Sequence, residues 1–123
     1  MNLLLDTCTL LWWTGGNQLS PISVDAIADP NNRVWVSAAT IWEISIKQSI
    51  GKLEVRGDLD AAIDEDFEHL PITAAHGRLA GRLPLHHRDP FDRMLIAQAQ
   101  LQGFTLATRD HNIRKYATTI LLS

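Results

Sequence analysis

Several features of secreted and membrane proteins are missing from this chain of 123 residues. Its one cysteine, Cys8, cannot form an intrachain disulfide, which fits a cytoplasmic protein. No apolar run approaches the roughly 18 residues that a membrane span needs. The opening MNLLLDTCTLLWW has no basic start and is interrupted by Asp6, so we expect no signal peptide. Without repeats or low-complexity segments, residues 1–123 are expected to form a single domain.

Charge is unevenly distributed along the chain, although the net charge is only −3. Residues 1–75 carry 11 acidic and 4 basic side chains, whereas residues 76–123 carry 3 acidic and 7 basic ones. The second part also holds four of the five histidines. A basic half of this kind can serve a polyanionic partner even when the whole chain is acidic.

Apolar runs and turn residues predict strands and helices in alternation. The strands lack polar positions, as buried parallel strands do, and are predicted at NLLLD, RVWVS, LPIT, FTLAT and TTILL. Helices are predicted at TCTLLWW, SPISVDAIADP, AATIWEISIKQSI, DLDAAIDEDFEHL, AAHGRLAGRL and PFDRMLIAQAQLQG. Ser20, Ser37 and Asp89 are the expected N-caps of three of these helices. The alternation predicts an α/β protein with a central, mainly parallel sheet flanked by helices.

Four acidic residues fall where the ends of such strands would bring them together. Asp6 ends the first strand and Asp110 follows the strand FTLAT, whereas Glu43 and Asp92 lie on helices that can close over the same edge. Carboxylates gathered at one edge repel each other unless a cation lies between them. Mg²⁺ and Mn²⁺ prefer oxygen ligands of this kind.

Each acid also has an ordinary structural explanation. Asp6 can cap the helix that follows it, and Glu43 can pair with Lys47 one turn later. Asp92 can serve only the helix dipole, and Asp110 can be a plain loop residue. Glu43, however, lies on a helix that is apolar nearly all round, where a carboxylate needs a partner.

At these residues the sequence resembles the PIN domain family, and most of all the VapC-type toxins of bacterial toxin–antitoxin pairs. The matching pieces are LLLDTCTLLWW, VSAATIWEISIKQSIGKL, DPFDRMLIAQA and LATRD, in the family's order. The resemblance implies a three-layer sandwich and a metal-dependent endoribonuclease inhibited by a small cognate antitoxin that occupies the site. It assigns the site to Asp6, Glu43, Asp92 and Asp110, with Thr108 as a hydroxyl companion.

The residue types imply a mechanism for RNA hydrolysis. Asp6 and Asp92 are expected to bind Mg²⁺ or Mn²⁺ directly, and Glu43 and Asp110 directly or through water. Thr108 would hold a carboxylate or a water, although it is also an ordinary strand residue. Attack by water would leave a 5′-phosphate and a 3′-hydroxyl. We also expect a homodimer.

Several histidine, cysteine, tryptophan and basic residues lie outside the set of four acids. His86 and His87 are adjacent and poorly spaced for one metal ion, so contact with RNA phosphate or no role is favoured. Cys8 is expected to be a small buried hydrophobe. The tryptophans are expected in the core or at subunit contacts, with stacking on a base as an alternative. Two or three members of a basic set would contact RNA: Arg78, Arg82, Arg88, Arg93, Arg109, Arg114 and Lys115.

Three other classes of protein are alternatives to the nuclease. A phosphatase with Asp6 as its nucleophile would want a second aspartate two residues later, where Cys8 stands. A receiver-like signalling domain would want a lysine near the last strand, and Lys115 is the only candidate. A non-catalytic PIN domain would be expected to have lost acidic residues, and none of the four is missing here.

Overall fold

The secondary structure follows the expected alternation in this computed structural model. The structure describes residues 1–16, 18–55 and 57–123, and over these it has five β-strands, six α-helices and one 3-10 helix. In chain order they are β1 (Asn2–Leu5), α1 (Thr7–Gly15), α2 (Pro21–Ala28), β2 (Arg33–Ser37), α3 (Ala38–Ser49), α4 (Leu59–Asp66), β3 (Glu68–Leu70), α5 (Ala74–Arg82), α6 (Pro90–Gln102), β4 (Thr105–Thr108), the 3-10 helix (Ile113–Lys115) and β5 (Ile120–Leu122).

The strands form one parallel sheet in the order β3-β2-β1-β4-β5. At the centre, Leu5 of β1 is in register with Ala107 of β4. The carboxyl ends of β1 and β4 are therefore neighbours, and Asp6 donates its backbone N–H to the carbonyl of Ala107 at 3.1 Å. This pairing brings residue 6 and residues 108–110 to one edge.

Helices cover both faces of the sheet, which explains why β1 is apolar throughout. Leu4 packs into a cluster with residues of α5 and α6, whereas Leu3 and Leu5 pack into a second cluster with residues of α1, α2 and α4. Successive side chains of a strand point to opposite faces, so a strand covered on both sides needs apolar residues at every position. The expected α/β sandwich with a central parallel sheet is confirmed.

The predicted caps are confirmed by their hydrogen bonds. Ser20 accepts from the backbone N–H of Ser23 at 3.2 Å, and Ser37 accepts from that of Ala39 at 3.0 Å. Gly103 ends α6 with a φ of 68°, a left-handed conformation that glycine adopts without a steric cost.

One predicted helix is wrong in its second half. The stretch DLDAAIDEDFEHL was expected to be helical throughout, but α4 ends at Asp66 and residues Glu68–Leu70 form β3. The strand expected at LPIT therefore lies two residues earlier, with Leu70 as its last residue. Pairing of β3 with β2 supplies backbone hydrogen bonds that the helix would otherwise have made, and acidic residues at a helix C-terminus oppose its dipole.

The described helices include none that is long and apolar enough to cross a bilayer.

Candidate metal centre at the carboxyl edge of the sheet

A cavity of about 310 Å³ opens beyond the carboxyl ends of β1 and β4. The four acidic residues singled out in the sequence all line it, although they come from four separate parts of the chain. Thr108 lies fully buried beside them. The residues that line the cavity are Asp6, Thr7, Cys8, Trp12, Glu43, Lys47, Asp89, Asp92, Arg109 and Asp110.

Asp6 is both a helix cap and a member of the site. One carboxylate oxygen accepts the backbone N–H of Thr9 at 2.8 Å and so caps α1, which was the ordinary explanation for this residue. The other oxygen accepts the hydroxyl of Thr108 at 2.5 Å. Burial raises the pKa of Asp6, and the hydrogen bonds from Thr108 and Thr9 only partly oppose that effect.

Glu43 is buried on α3, and each of its carboxylate oxygens has a partner. Oε1 accepts the hydroxyl of Thr7 at 2.5 Å, and Oε2 lies 2.7 Å from Nζ of Lys47. The pair expected between Glu43 and Lys47 is therefore present. Lys47 brings a positive charge to the wall of the cavity, which reduces the repulsion among the acids.

Asp89 and Asp92, at the beginning of α6, have different roles. Asp89 is the N-cap, because one of its oxygens accepts the backbone N–H groups of Phe91 at 2.8 Å and of Asp92 at 3.2 Å. The carboxylate of Asp92 instead points into the cavity, where Oδ2 lies 3.0 Å from Nε2 of His87. Burial, and then the charge of Asp89, raise the pKa of Asp92 to about 7.

Asp110 is held by backbone donors on its own loop. Its Oδ1 accepts the N–H groups of Asn112 and Ile113, and its Oδ2 lies 3.2 Å from Nε2 of His87. Burial by itself would raise the pKa of Asp110, but these backbone hydrogen bonds and the His87 ring outweigh burial and lower it. The backbone N–H of Asp110 also donates to the hydroxyl of Thr108, at 3.0 Å.

His87 is the residue of the site that sequence reasoning missed. An exposed loop position without a role was favoured for it, but its side chain is only 12% exposed and lies between Asp92 and Asp110. The sequence feature that indicates this position is the short distance to the helix cap. In HHRDPFD, His87 stands two residues before the N-cap Asp89 and therefore close to Asp92. His86 is exposed, as expected, and rests edge-on against Tyr116.

The expectation for Cys8 is wrong, and one member of the basic set, Arg93, is excluded from contact with RNA. Cys8 is exposed and lines the cavity, because it lies on the first turn of α1 beside Asp6. Although the residue is exposed, partial burial of its thiol group, and then the neighbouring carboxylates, raise the pKa of the thiol to about 11. Arg93 is buried and donates to the backbone carbonyls of residues 80, 83, 84 and 87, so it cannot contact RNA.

The other basic and aromatic candidates are more accessible. Arg109 stacks 4.0 Å from the centre of the Trp12 ring at the rim of the cavity. Trp42 is 62% exposed. Lys115, the lysine that a receiver domain would require, is exposed on the 3-10 helix and does not line the cavity.

The chemistry of the cavity fits a hard divalent cation. Asp6, Glu43, Asp92 and Asp110 offer oxygen donors, which Mg²⁺ and Mn²⁺ prefer. The raised pKa values of Asp6 and Asp92 mark sites where a negative charge is poorly compensated, and a bound cation would relieve that cost. Suitable ligand atoms of His87, Asp92 and Asp110 lie within 4.8 Å of one another.

The fold and this cavity define an α/β protein with an acidic site at the carboxyl edge of a parallel sheet. Residues 3–118 match the sequence profile of the PIN domain. The chain therefore belongs to the PIN domain family, and the family resemblance seen in the sequence is confirmed.

Solved structures of toxin–antitoxin complexes have a similar fold. VapBC2 from Rickettsia felis, solved with a promoter DNA fragment, matches with a TM-score of 0.74 at 14% identity, over 98% of each chain. A toxin–antitoxin complex from Klebsiella pneumoniae matches with a TM-score of 0.69 at 18% identity, over 98% of this chain and 96% of that chain. DNA-bound VapBC from Salmonella typhimurium matches with a TM-score of 0.67 at 17% identity, over 98% and 97%. Among curated proteins, no sequence matches.

Proposed function

We propose that this PIN-domain protein is an endoribonuclease that requires Mg²⁺ or Mn²⁺ and acts as the toxin of a toxin–antitoxin pair. The observation that carries the proposal is the meeting of Asp6, Glu43, Asp92 and Asp110 in one cavity. Their positions agree with the site that the family resemblance implies. We also treat residues 1–123 as one domain, since the helices pack on the two faces of one sheet.

Asp6 and Asp92 are the proposed direct ligands, because burial raises the pKa of both carboxyl groups and a bound cation would relieve that cost. Thr108 keeps Asp6 in place through its hydroxyl. Glu43 and Asp110 bind directly or orient water, and Lys47 holds the Glu43 carboxylate. When bound, a divalent cation supplies neutralisation of the phosphate charge and activation of the attacking water.

The residues of the rim have a separate task, which is to bind the RNA. Lys47 and Arg109 place positive charge at the cavity, where the phosphate next to the scissile bond would lie. The in-line attack of water then breaks the bond to the 3′-oxygen. The products are a 5′-phosphate and a 3′-hydroxyl, and the ribose 2′-hydroxyl takes no part.

The test of the activity is cleavage of a structured RNA by the purified protein with Mn²⁺ or Mg²⁺. We expect cleavage to stop in EDTA and to return when the ion is restored, and the new ends to carry 5′-phosphates. Glu43→Gln should be inactive, whereas Glu65→Gln, an exposed glutamate on α4, should cleave like wild type. Cleavage that persists in EDTA, or 2′,3′-cyclic phosphate ends, would exclude this mechanism.

The proposed partner is a cognate antitoxin, as in the toxin–antitoxin complexes of similar fold. A groove beside the site supports this assignment, because Trp12 lines both the groove and the acidic cavity. Leu11, Leu53, Val55 and Leu59 make much of the groove apolar, which suits a peptide segment laid along it. A chain bound there would end next to the carboxylates.

Growth of a bacterial host tests the toxin role. Expression of the wild-type chain without an antitoxin should arrest growth, and Glu43→Gln should relieve the arrest while Glu65→Gln does not. Co-expression of the small protein encoded beside this gene should restore growth and co-purify with the chain. Arrest by Glu43→Gln at equal expression would contradict the proposal.

A homodimer in the cytoplasm is also proposed. The exposed Trp42 lies in an apolar groove with Ile41, Leu70 and Pro71, a surface suited to a second copy. Light scattering should give twice the chain mass for wild type and a monomer mass for Trp42→Glu. Leu85→Glu, at a residue 80% exposed on the loop between α5 and α6, is the control and should remain dimeric.

A further inference from the structure

His87 is held among the carboxylates of the cavity by contacts that leave its ring little freedom. Its backbone N–H donates to the hydroxyl of Tyr116 at 2.9 Å, and its carbonyl accepts from the guanidinium of Arg93 at 3.2 Å. The Tyr116 hydroxyl also donates to the carbonyl of Pro84. The loop before α6 is therefore tied to both α6 and the segment after β4, and the ring of His87 is aimed into the site.

The hydrogen bonds of the ring decide which nitrogen carries the proton. Nδ1 accepts the backbone N–H of Asp89 at 3.1 Å, so this nitrogen uses its lone pair. A neutral imidazole has one N–H, which must then be on Nε2. Nε2 is the atom that lies 3.0 Å from Asp92 and 3.2 Å from Asp110.

A nitrogen that carries a proton cannot also bind a metal ion, because the lone pair is the ligand. To bind through Nε2, His87 would have to move its proton to Nδ1, where the N–H of Asp89 already points. That N–H belongs to Asp89, the N-cap of α6, whose side chain is bonded to the first turn of the helix. If His87 bound a metal ion through Nε2, the N–H on its Nδ1 and the backbone N–H of Asp89 would point at each other without an acceptor.

We propose that His87 is a positioning residue whose ring N–H lies between Asp92 and Asp110, and that it is not a ligand of the metal ion. This inference rests on the proposed metal site. In the metal-free protein the N–H offsets the repulsion of the two carboxylates. Asp92 and Asp110 would be among the residues that hold the ion, and the ring N–H would then remain a donor to Asp110 and keep that carboxylate oriented.

The two roles predict opposite effects on metal affinity. If the His87 N–H competes with the ion, His87→Ala should bind Mn²⁺ several-fold more tightly than wild type, since Asp92 is then free. If His87 is a ligand, the same variant should bind Mn²⁺ more weakly. Titration calorimetry measures the dissociation constant without any need for RNA cleavage. An unchanged or weakened affinity overturns the inference.

Two matched variants separate the ring N–H from the mere presence of a side chain. His87→Gln places an amide N–H near the position of Nε2, and should return the affinity and the metal-free melting temperature toward the wild-type values. His86→Ala removes the exposed neighbouring imidazole and should leave both unchanged. An affinity of His87→Gln equal to that of His87→Ala counts against the N–H as the cause.

Nitrogen NMR of the wild-type protein gives a readout that does not depend on whether a variant folds. The ¹⁵N shifts of His87 should show a proton on Nε2 in the metal-free protein, and the same tautomer after diamagnetic Mg²⁺ is added. A proton on Nδ1 with Mg²⁺ bound overturns the inference. If wild type binds neither Mn²⁺ nor Mg²⁺, the proposed metal site fails instead, and the metal-free tautomer still tests the placement of the N–H.

Discussion

Two histidines that are mostly enclosed, one near each end of α6, have the same local geometry and different surroundings. His87 precedes the first turn of α6, whereas His76 lies on α5 against the last turns of α6. In both, Nδ1 accepts a backbone N–H at a helix N-terminus, from Asp89 at 3.1 Å and from Thr73 at 3.0 Å. Both rings therefore present an N–H on Nε2.

The acceptors of that N–H are what differ. His76 is 2% exposed and meets the neutral side-chain oxygen of Gln102 at 3.0 Å, so the acceptor of its N–H carries no charge. His87 meets the carboxylates of Asp92 and Asp110, which come from separate elements and share one N–H. A neutral, satisfied network stabilises a fold. A crowded charged cluster costs stability, and in the proposed metal site a bound cation would offset that cost.

The largest effect expected from this contrast is on cleavage. Asp92→Asn removes the carboxylate that points into the cavity and should lower kcat/KM for RNA by about 10²–10³-fold or more, in line with the loss of one electrostatic group in other active sites. Gln102→Asn, which shortens the amide that faces His76, is the control and should cleave RNA like wild type. Equal activity of the two variants would contradict the prediction that only the His87 end of α6 takes part in cleavage.

The second effect is on stability and should appear at the other end of the helix. His76→Ala leaves a cavity and unsatisfied groups on Thr73 and Gln102, and should lower the free energy of unfolding by about 2–4 kcal/mol. Urea denaturation measures this loss, and the Mn²⁺ affinity of the folded protein should not change. His69→Ala, at an exposed histidine, should cost much less. A change in Mn²⁺ affinity with His76→Ala would show that the two clusters are coupled.

The third effect is a dependence of stability on pH. Because the pKa of Asp92 is raised to about 7 in the folded protein, the folded chain keeps a proton that the unfolded chain releases above its ordinary pKa near 3.8. The metal-free protein should therefore lose stability as the pH rises from about 4 to 7, by at most about 1.4 kcal/mol per pH unit from this group. The lowered pKa of Asp110 acts in the opposite direction, but only near and below pH 4.

Melting curves in EDTA at pH 5 and pH 7.5 test this sign. Asp92→Asn should show a smaller fall between the two values and should melt at or above wild type at pH 7.5. Every other titratable group is common to the two proteins, so the difference between them reports Asp92. An equal fall in the two proteins would mean that Asp92 is not the group responsible.

The smallest effect is expected at the neighbouring aspartate. Asp89→Asn keeps an oxygen that can accept the N–H groups of Phe91 and Asp92, and asparagine caps helices about as well as aspartate. Stability should change by less than about 0.5 kcal/mol, and RNA cleavage should persist. Full loss of activity in this variant, with full activity in Asp92→Asn, would mean that the roles of the two aspartates are reversed.

Much of the fold was predictable because its causes are local. The caps Ser20, Ser37 and Asp89 act on backbone groups two or three residues away, and the apolar run of β1 is visible without its neighbours. The second half of DLDAAIDEDFEHL was mispredicted, since Leu59, Ile63, Phe67 and Leu70 follow a helical spacing. Residues 68–70 form a strand because they pair with β2. The sequence of the segment itself does not indicate this pairing.

The candidate site also has some features that the sequence predicts and others that depend on tertiary contacts. The sequence by itself determined which carboxylates are available and, through the predicted strands, that Asp6 and Asp110 leave the same edge of the sheet. Only the tertiary structure decided that His87 lies between Asp92 and Asp110. It also decided that Cys8 faces the cavity and that the guanidinium of Arg93 donates to backbone carbonyls. Periodicity and capping act over a few residues, whereas the place of His87 depends on Tyr116 and Asp110, which lie 29 and 23 residues further along the chain.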